Sequence, residues 1–412
     1  MFDTSLRRRH DAGLLVMKEH RSRIARSVRG RIVASACSVA MLATVALGTI
    51  QAQRVGASIQ PAGSSQVKFR VDTSTNPSAT ENALRGISCP SQSFCMSVGF
   101  YVNAAVDKTL AEVWAGSRWT TSPSISPSLT SNFLDGVSCL SSSFCMAVGA
   151  IGAGASQRAL VERWSGRSWS TTSSVDPTAH DTLNAVSCAS VRFCMAVGVG
   201  VAAGVDRTLA ERWNGRSWTS SVTPDLGTQT NELLGVSCLS PTFCFAVGDW
   251  TAQGHLRALV LAWNGARWRV IPSRDPSTQD LLNAVACAST RFCEAVGGQV
   301  TGATSRTLVE QWKGGRWVVV RSPSAGASTD LWGVSCLRAS VCEAVGSISA
   351  GTASQTLVEH WNGTRWIIAP SANPSAHDGF NGVSCASLAA CNPVGYEVVG
   401  NNVYDSLIER SA

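Results

Sequence analysis

Beyond its first 58 residues the chain has no excess charge of either sign, and it is poor in histidine, with six in 412 residues. The leader holds ten Lys and Arg against three acids, while the other 24 bases and 24 acids cancel. Such a balance gives the body no net positive field for a phosphate backbone, which argues against a nucleic-acid partner. The body's histidines are only His180, His255, His360 and His377, too few to complete a set of zinc sites, so no metal and no cofactor is expected. No loop carries a recognisable reaction motif, and no catalytic residue can be named.

Cysteine is what the sequence has in order. Seven Cys-x5-Cys pairs recur every 49 or 50 residues: Cys89/Cys95, Cys139/Cys145, Cys188/Cys194, Cys238/Cys244, Cys287/Cys293, Cys336/Cys342 and Cys385/Cys391. A period of that length with strand-like content reads as propeller blades. Setting aside Cys37 in the leader, every cysteine belongs to a local pair, which points to disulfides and an oxidising compartment. Each bridge closes a seven-residue loop, for which loop-closure entropy gives roughly 2 to 2.5 kcal/mol. They are expected as local staples, one hairpin per blade.

The leader divides into a basic tail (1–31), a signal peptide or signal anchor (32–52) and a linker (53–65) before the repeats (66–412). Residues 32–50 are uncharged and follow the basic tail, the layout of an export signal, with small-residue cleavage positions after Gly48 and Ala52. The alternative is a retained single-pass anchor with the basic tail in the cytoplasm. Met17 is an alternative start. Either way the body is expected to be secreted or held at the cell surface.

Within one period four short strands can be read. In the third copy residues 183–188, 193–198, 208–213 and 217–220 alternate as strands, giving one antiparallel blade per period. The expected fold is therefore all-β, a seven-bladed propeller of four-stranded antiparallel blades. Val or Ile stands two before each first cysteine and Val-Gly follows each second one, as suits faces packed between neighbouring blades. Six Trp-x-Gly-x-x-Trp hairpins start at Trp114, Trp164, Trp213, Trp263, Trp312 and Trp361. Asn214-Gly215, Asn264-Gly265 and Asn362-Gly363 have the residues of a two-residue type I′ turn.

The seventh copy lacks its tryptophan hairpin and fourth strand. Residues 66–71, followed by Asn76-Pro77, match the segment around Trp366 followed by Asn373-Pro374, with Phe69 in the tryptophan's place. The N-terminal strand is thus expected to complete the last blade, a closure that hides sheet edges. Pro393 inside the second strand of that blade predicts a bulge or weak pairing.

The chain resembles the seven-bladed β-propeller superfamily, in a cysteine-paired version similar to secreted repeat proteins of high-GC bacteria, whose function is not established. The resemblance covers 66–412 and rests on blocks such as Val236-Ser237-Cys238, residues 243–248 and Glu211 to Trp218. The Gly-x-x-Trp hairpin also resembles the Asp-box of sialidase-like propellers. Trp213 stands at the Asp position, however, and the only tyrosines are Tyr101, Tyr396 and Tyr404.

A structural device in a ring recurs in each blade, whereas a site occurs once. Glu112, Glu162, Glu211, Glu310, Glu359 and Glu409 recur on the third strand. A basic residue four earlier (Lys108, Arg158, Arg207, Arg306) shares the strand face, reading as a repeated polar contact between blades. Asn82, Asn132, Asp181, Asn231, Asp280 and Asp378 read as turn caps. The tryptophan pairs read as packing, with sugar-stacking sites as the alternative. Residues that occur once, Tyr101, Trp250, His255, Trp332 and Phe380, are the ligand-binding candidates. The expected function is a monomeric, extracytoplasmic, non-enzymatic propeller that binds a protein or glycan at the cell surface. A hydrolase or lyase acting on polysaccharide in the channel is the alternative.

Overall fold

The computed structural model describes residues 68–411, apart from 153–156, 179, 303, 327, 351–352 and 401–402. The proposed leader lies outside the described residues. Twenty-eight strands, β1–β28 in chain order, build seven four-stranded antiparallel blades, and no helix occurs among the described residues. The first blade runs β2 (Asn82–Ser91), β3 (Phe94–Asn103), β4 (Val106–Trp114) and β5 (Trp119–Thr121), and the pattern repeats. Blades five and six are joined by one parallel bridge, Ser305 to Ser328.

Closure follows the sequence expectation. β1 (Phe69–Asp72) pairs with β28 (Val403–Ser411), Phe69 opposite Ser411 and Asp72 opposite Ile408. The innermost strands pack side by side around the ring, and β2 meets β26 (Gly379–Ser387) to close it. Ser384 Oγ accepts the Cys89 N–H at 2.9 Å across that junction, as Ser88 does from Cys139 and Ser138 from Cys188. Ser187, Ser237 and Ser335 repeat the contact, and only at Ala286 is there no hydroxyl to offer.

The core is spread over the seven interfaces between blades. In one of them Met146 and Val148 pack on the Cys188–Cys194 bridge, Trp213 and Trp218 of the following blade.

All seven expected disulfides are formed: Cys89–Cys95, Cys139–Cys145, Cys188–Cys194, Cys238–Cys244, Cys287–Cys293, Cys336–Cys342 and Cys385–Cys391. Each ties the first and second strands of one blade, the expected local staple, and it is also part of the core. Cys95, Cys145, Cys194, Cys244, Cys293, Cys342 and Cys391 have only 0 to 2% exposure, and each belongs to one of the clusters packed between blades. The physical reason is the strand they stand on. Each stands at the start of the second strand of its blade, which is sandwiched between neighbouring sheets, and the partners on the first strand are buried too, except half-buried Cys287 and Cys336. The sulfurs therefore contribute apolar packing as well as a covalent tie.

Two further local expectations need correction. The glycine of each Val-Gly is required inside its own blade: a Cβ on Gly99 would lie 1.9 Å from the Ala83 carbonyl oxygen, and the other six copies give 1.9 to 2.1 Å. The tryptophan hairpins are not two-residue type I′ turns. Trp213 pairs with Trp218 across four residues, Gly215 alone has positive φ, and the Asn214 carboxamide oxygen accepts the N–H groups of Arg216 and Ser217. Turns with both φ positive occur instead between second and third strands, at Ala104-Ala105, Ala203-Gly204 and Gln253-Gly254. As expected, Pro393 weakens pairing: the ladder between β27 (Ala390–Val399) and β28 starts only at Val394, although the register toward β26 is kept.

Candidate functional site

The two ends of the ring differ. At one end lie the disulfide turns and the tryptophan hairpins, held together because the first tryptophan's Nε1 donates to a carbonyl in the disulfide turn, as Trp114 does to Gln92 at 3.2 Å. Five further hairpins repeat this bond. This is the stapled face. At the other end, the open face, lie the linkers between blades and the turns joining second to third strands.

Near the open end each innermost strand carries a β-bulge. In the first blade the register shifts between Leu84 and Gly86, leaving Arg85 unpaired, and the other blades repeat the shift. Flanking positions recur, with Leu or Phe before the bulge residue and Gly or Ala after it. The bulge residue itself differs in class: Arg85, Asp135, Asn184, Leu234, Asn283, Trp332 and Asn381. Several reach the next blade. Arg85 Nη1 lies 2.5 Å from the Asp135 carboxylate, with its guanidinium 4.6 and 4.9 Å from the Phe100 and Phe133 ring centres. Asn184 donates to the Leu233 carbonyl at 2.9 Å and to Glu232 at 3.1 Å, and Asn381 to the Leu84 carbonyl at 2.8 Å.

The recurring residues are framework. The third-strand glutamates are fully buried, and their partners are not the basic residues four earlier. They accept instead from the linker entering their blade: Ser74 Oγ to Glu112 at 2.7 Å, Ser174 to Glu211 and Ser322 to Glu359 at 2.6 Å. Arg207 and Arg257 pair with the linker carboxylates Asp225 and Asp275, at 3.5 and 3.8 Å. Burial pushes the carboxyls of Glu162, Glu359 and Glu409 up to about 8 and that of Glu310 up to about 7, outweighing these donors. The Asn and Asp turn caps are as expected, Asn82 accepting the Ser78 N–H at 2.8 Å and Asp378 that of Ser375 at 3.0 Å. The tryptophans pack in tilted pairs with ring centres 5.5 to 5.9 Å apart. Apart from half-buried Trp312 they are buried, so the hairpins present no row of sugar-stacking rings.

Of the single-copy candidates, four lie toward the open end. Tyr101 stands between Asn82 and Lys108, and Trp250 between Asn231 and Arg257. His255 is exposed at a turn opposite Ala252, and Trp332 is the half-buried bulge residue of the sixth blade. Trp250 and His255 share one blade; the others are spread around the ring. Phe380 corrects the reading of a turn residue: it has 0% exposure and fills the core position that leucine holds in the other six blades. Sequence reasoning missed Arg85 and Asp135. Their signal was a position four before the first cysteine that varies between two positions that recur.

The balanced charge of the body also proves polarised, which corrects the inference that it offers no positive field. Every tryptophan hairpin exposes an arginine: Arg118, Arg167, Arg216, Arg267, Arg316 and Arg365. Arg192, Arg291 and Arg338 are exposed in the disulfide turns beside them. Among the described residues no exposed carboxylate stands at this end, since its acids are the buried glutamates and Asp72, which pairs with Arg410 at 3.2 Å. Exposed or half-exposed acids such as Asp107, Asp225, Asp275 and Asp330 belong to the open face.

The chain matches no family model and no curated protein. Among solved structures it is similar to YCF48 bound to a D1 peptide (TM-score 0.53, 13% identity, covering 85% of this chain and 96% of that one). It is similar also to YCF48 from Cyanidioschyzon merolae (TM-score 0.50, 12% identity, 84% and 98%). A third is the GH74 xyloglucanase from Xanthomonas campestris (TM-score 0.52, 12% identity), where the match covers 82% of this chain and 55% of the enzyme. Identities this low establish the architecture alone: the chain is a β-propeller, and a binding protein and a hydrolase share its fold.

Proposed function

We propose that this protein is an exported, non-enzymatic propeller that binds a protein or glycan segment across the mouth of its axis on the open face. The observation that carries the reading is the loss of internal symmetry there. The blades repeat Leu or Phe, Gly or Ala, Val or Ile and Cys along the innermost strand, then differ at the bulge, where a charged pair, amides, Leu234 and Trp332 stand in successive blades. Varied side chains on a rigid scaffold are how a repeat protein acquires a specific ligand. Seven disulfides suit an extracytoplasmic compartment. The related architecture of YCF48 bound to a D1 peptide is compatible with a peptide in this place.

A hydrolase reading rests on the acidic residues of the innermost strands, Asp135, Glu232 and Asp330, and on the shared fold of the xyloglucanase. Peptide and glycan arrays probed with the purified protein, followed by hydrolysis assays on any hit, separate the two. Binding that Trp332→Ala and Tyr101→Ala weaken at unchanged Tm, without turnover, supports the binding reading. Turnover abolished by Glu232→Gln would replace it.

A further inference from the structure

The arginines of the stapled face take no part in the open-face site, and their concentration has a cost. Like charges crowded together repel, which destabilises a compact state unless a counter-charge is supplied. Here the hairpin arginines face solvent, with no exposed carboxylate among the described residues of that end. We propose that the stapled face docks on an anionic phospholipid surface, so that the open face points away from the membrane.

Three observations favour a lipid surface over a soluble polyanion. The charges are distributed around the ring, at least one hairpin arginine in each of six blades and exposed Lys68 and Arg70 on β1 in the seventh, as suits a flat partner. Exposed apolar side chains stand among them, Val191 and Leu388 at the tips of disulfide turns and Leu239 beside Cys238, where they can enter the acyl boundary while the guanidiniums hold phosphates. The chain also enters the propeller at this end. Phe69 opposes Ser411 in the register that elsewhere pairs the two hairpin tryptophans, and exposed Lys68 precedes it. The uncharged segment 32–50 lies 17 residues upstream of Lys68, a connection that spans at most about 60 Å when extended. The chain therefore joins the described propeller beside its basic end.

The test compares two variants of equal net charge in the full chain. One carries Arg216→Glu, Arg267→Glu, Arg316→Glu and Arg365→Glu on the stapled face. The other carries Arg158→Glu, Arg274→Glu, Arg306→Glu and Arg321→Glu toward the open face. Each is co-sedimented with vesicles of phosphatidylcholine alone and with 30 mol% phosphatidylglycerol, across a salt series. The neutral vesicles set the baseline due to the apolar segment, and the leader's own bases are common to both variants. The stapled-face variant is expected to bind anionic vesicles at least tenfold more weakly than the unchanged protein, while the other variant keeps its affinity. Raising the salt should remove the difference as the charges are screened. An Arg→Gln set at the same four hairpin positions keeps the test decisive if the glutamate set misfolds. Equal binding by both variants overturns the proposal. So does tighter binding of the unchanged protein to a DNA duplex than to vesicles at matched anionic charge, which would assign the face to a soluble polyanion.

Discussion

Folding should weaken as the pH rises from about 5 to 8, because of carboxyls locked inside the ring. Glu359 is the sharpest case. It is fully buried on the sixth blade, accepts one hydrogen bond from Ser322 Oγ at 2.6 Å, and burial pushes its carboxyl from 4.5 up to about 8. Between those values the folded protein keeps a proton that the unfolded chain has released, so its stabilising contribution is complete below 4.5 and lost as the pH passes 8. A shift of that size corresponds to about 5 kcal/mol over the full range, at roughly 1.4 kcal/mol per pH unit. Glu359→Gln removes the titration while retaining an acceptor for Ser322. The stability difference between the unchanged protein and the variant should therefore move by about 3 kcal/mol in the variant's favour between pH 5.5 and 7.5. Denaturant unfolding under non-reducing conditions at several pH values measures it. A difference independent of pH, or one that moves the other way, refutes the reasoning.

Other changes probe single contacts. Gly198→Ala would place a methyl group 1.9 Å from the Thr182 carbonyl oxygen, and should lower stability by about 3 kcal/mol or more or prevent folding, read from secretion yield and Tm. Ala286→Ser should supply the seventh hydroxyl of the inter-blade ladder to the Cys336 N–H and raise stability by about 1 kcal/mol in the same unfolding assay. Ala105→Gly relieves a left-handed residue, φ 64°, at an exposed turn and should be stabilising by about 1 kcal/mol, where the same change at a residue of negative φ would destabilise.

The blade count, the disulfide pairing and the seam were legible because each is written in repeating residues, and the partial seventh copy could be matched against Phe69. The depth of the bridges was not, since spacing tells which cysteines pair but not which strand the next blade covers. Nor was the bulge. It is a register event that inserts one residue and flips the strand's alternation, so the buried positions run Leu84, Ile87 and Cys89, a spacing of three and then two that a reading in steps of two passes over. The Asn-Gly hairpins misled because the asparagine bonds the backbone two and three residues on and makes a wider turn. The third-strand glutamates were recognised as contacts between blades but assigned the wrong partner, since their serine donors come from linkers about 37 residues away. The charge polarity was hidden by the net count. Arginine-bearing hairpins and acid-bearing linkers alternate along the chain, and only the antiparallel blade sends them to opposite ends.

Both faces take their meaning from a ring closed by β1 on β28. Native-state hydrogen exchange of the backbone amides in Phe69–Asp72 and in the facing part of β28 tests this directly. Protection equal to that of the inner strands, released only in global unfolding, is the expected result. Exchange of those residues by local opening, while the other six blades stay protected, would contradict a closed ring.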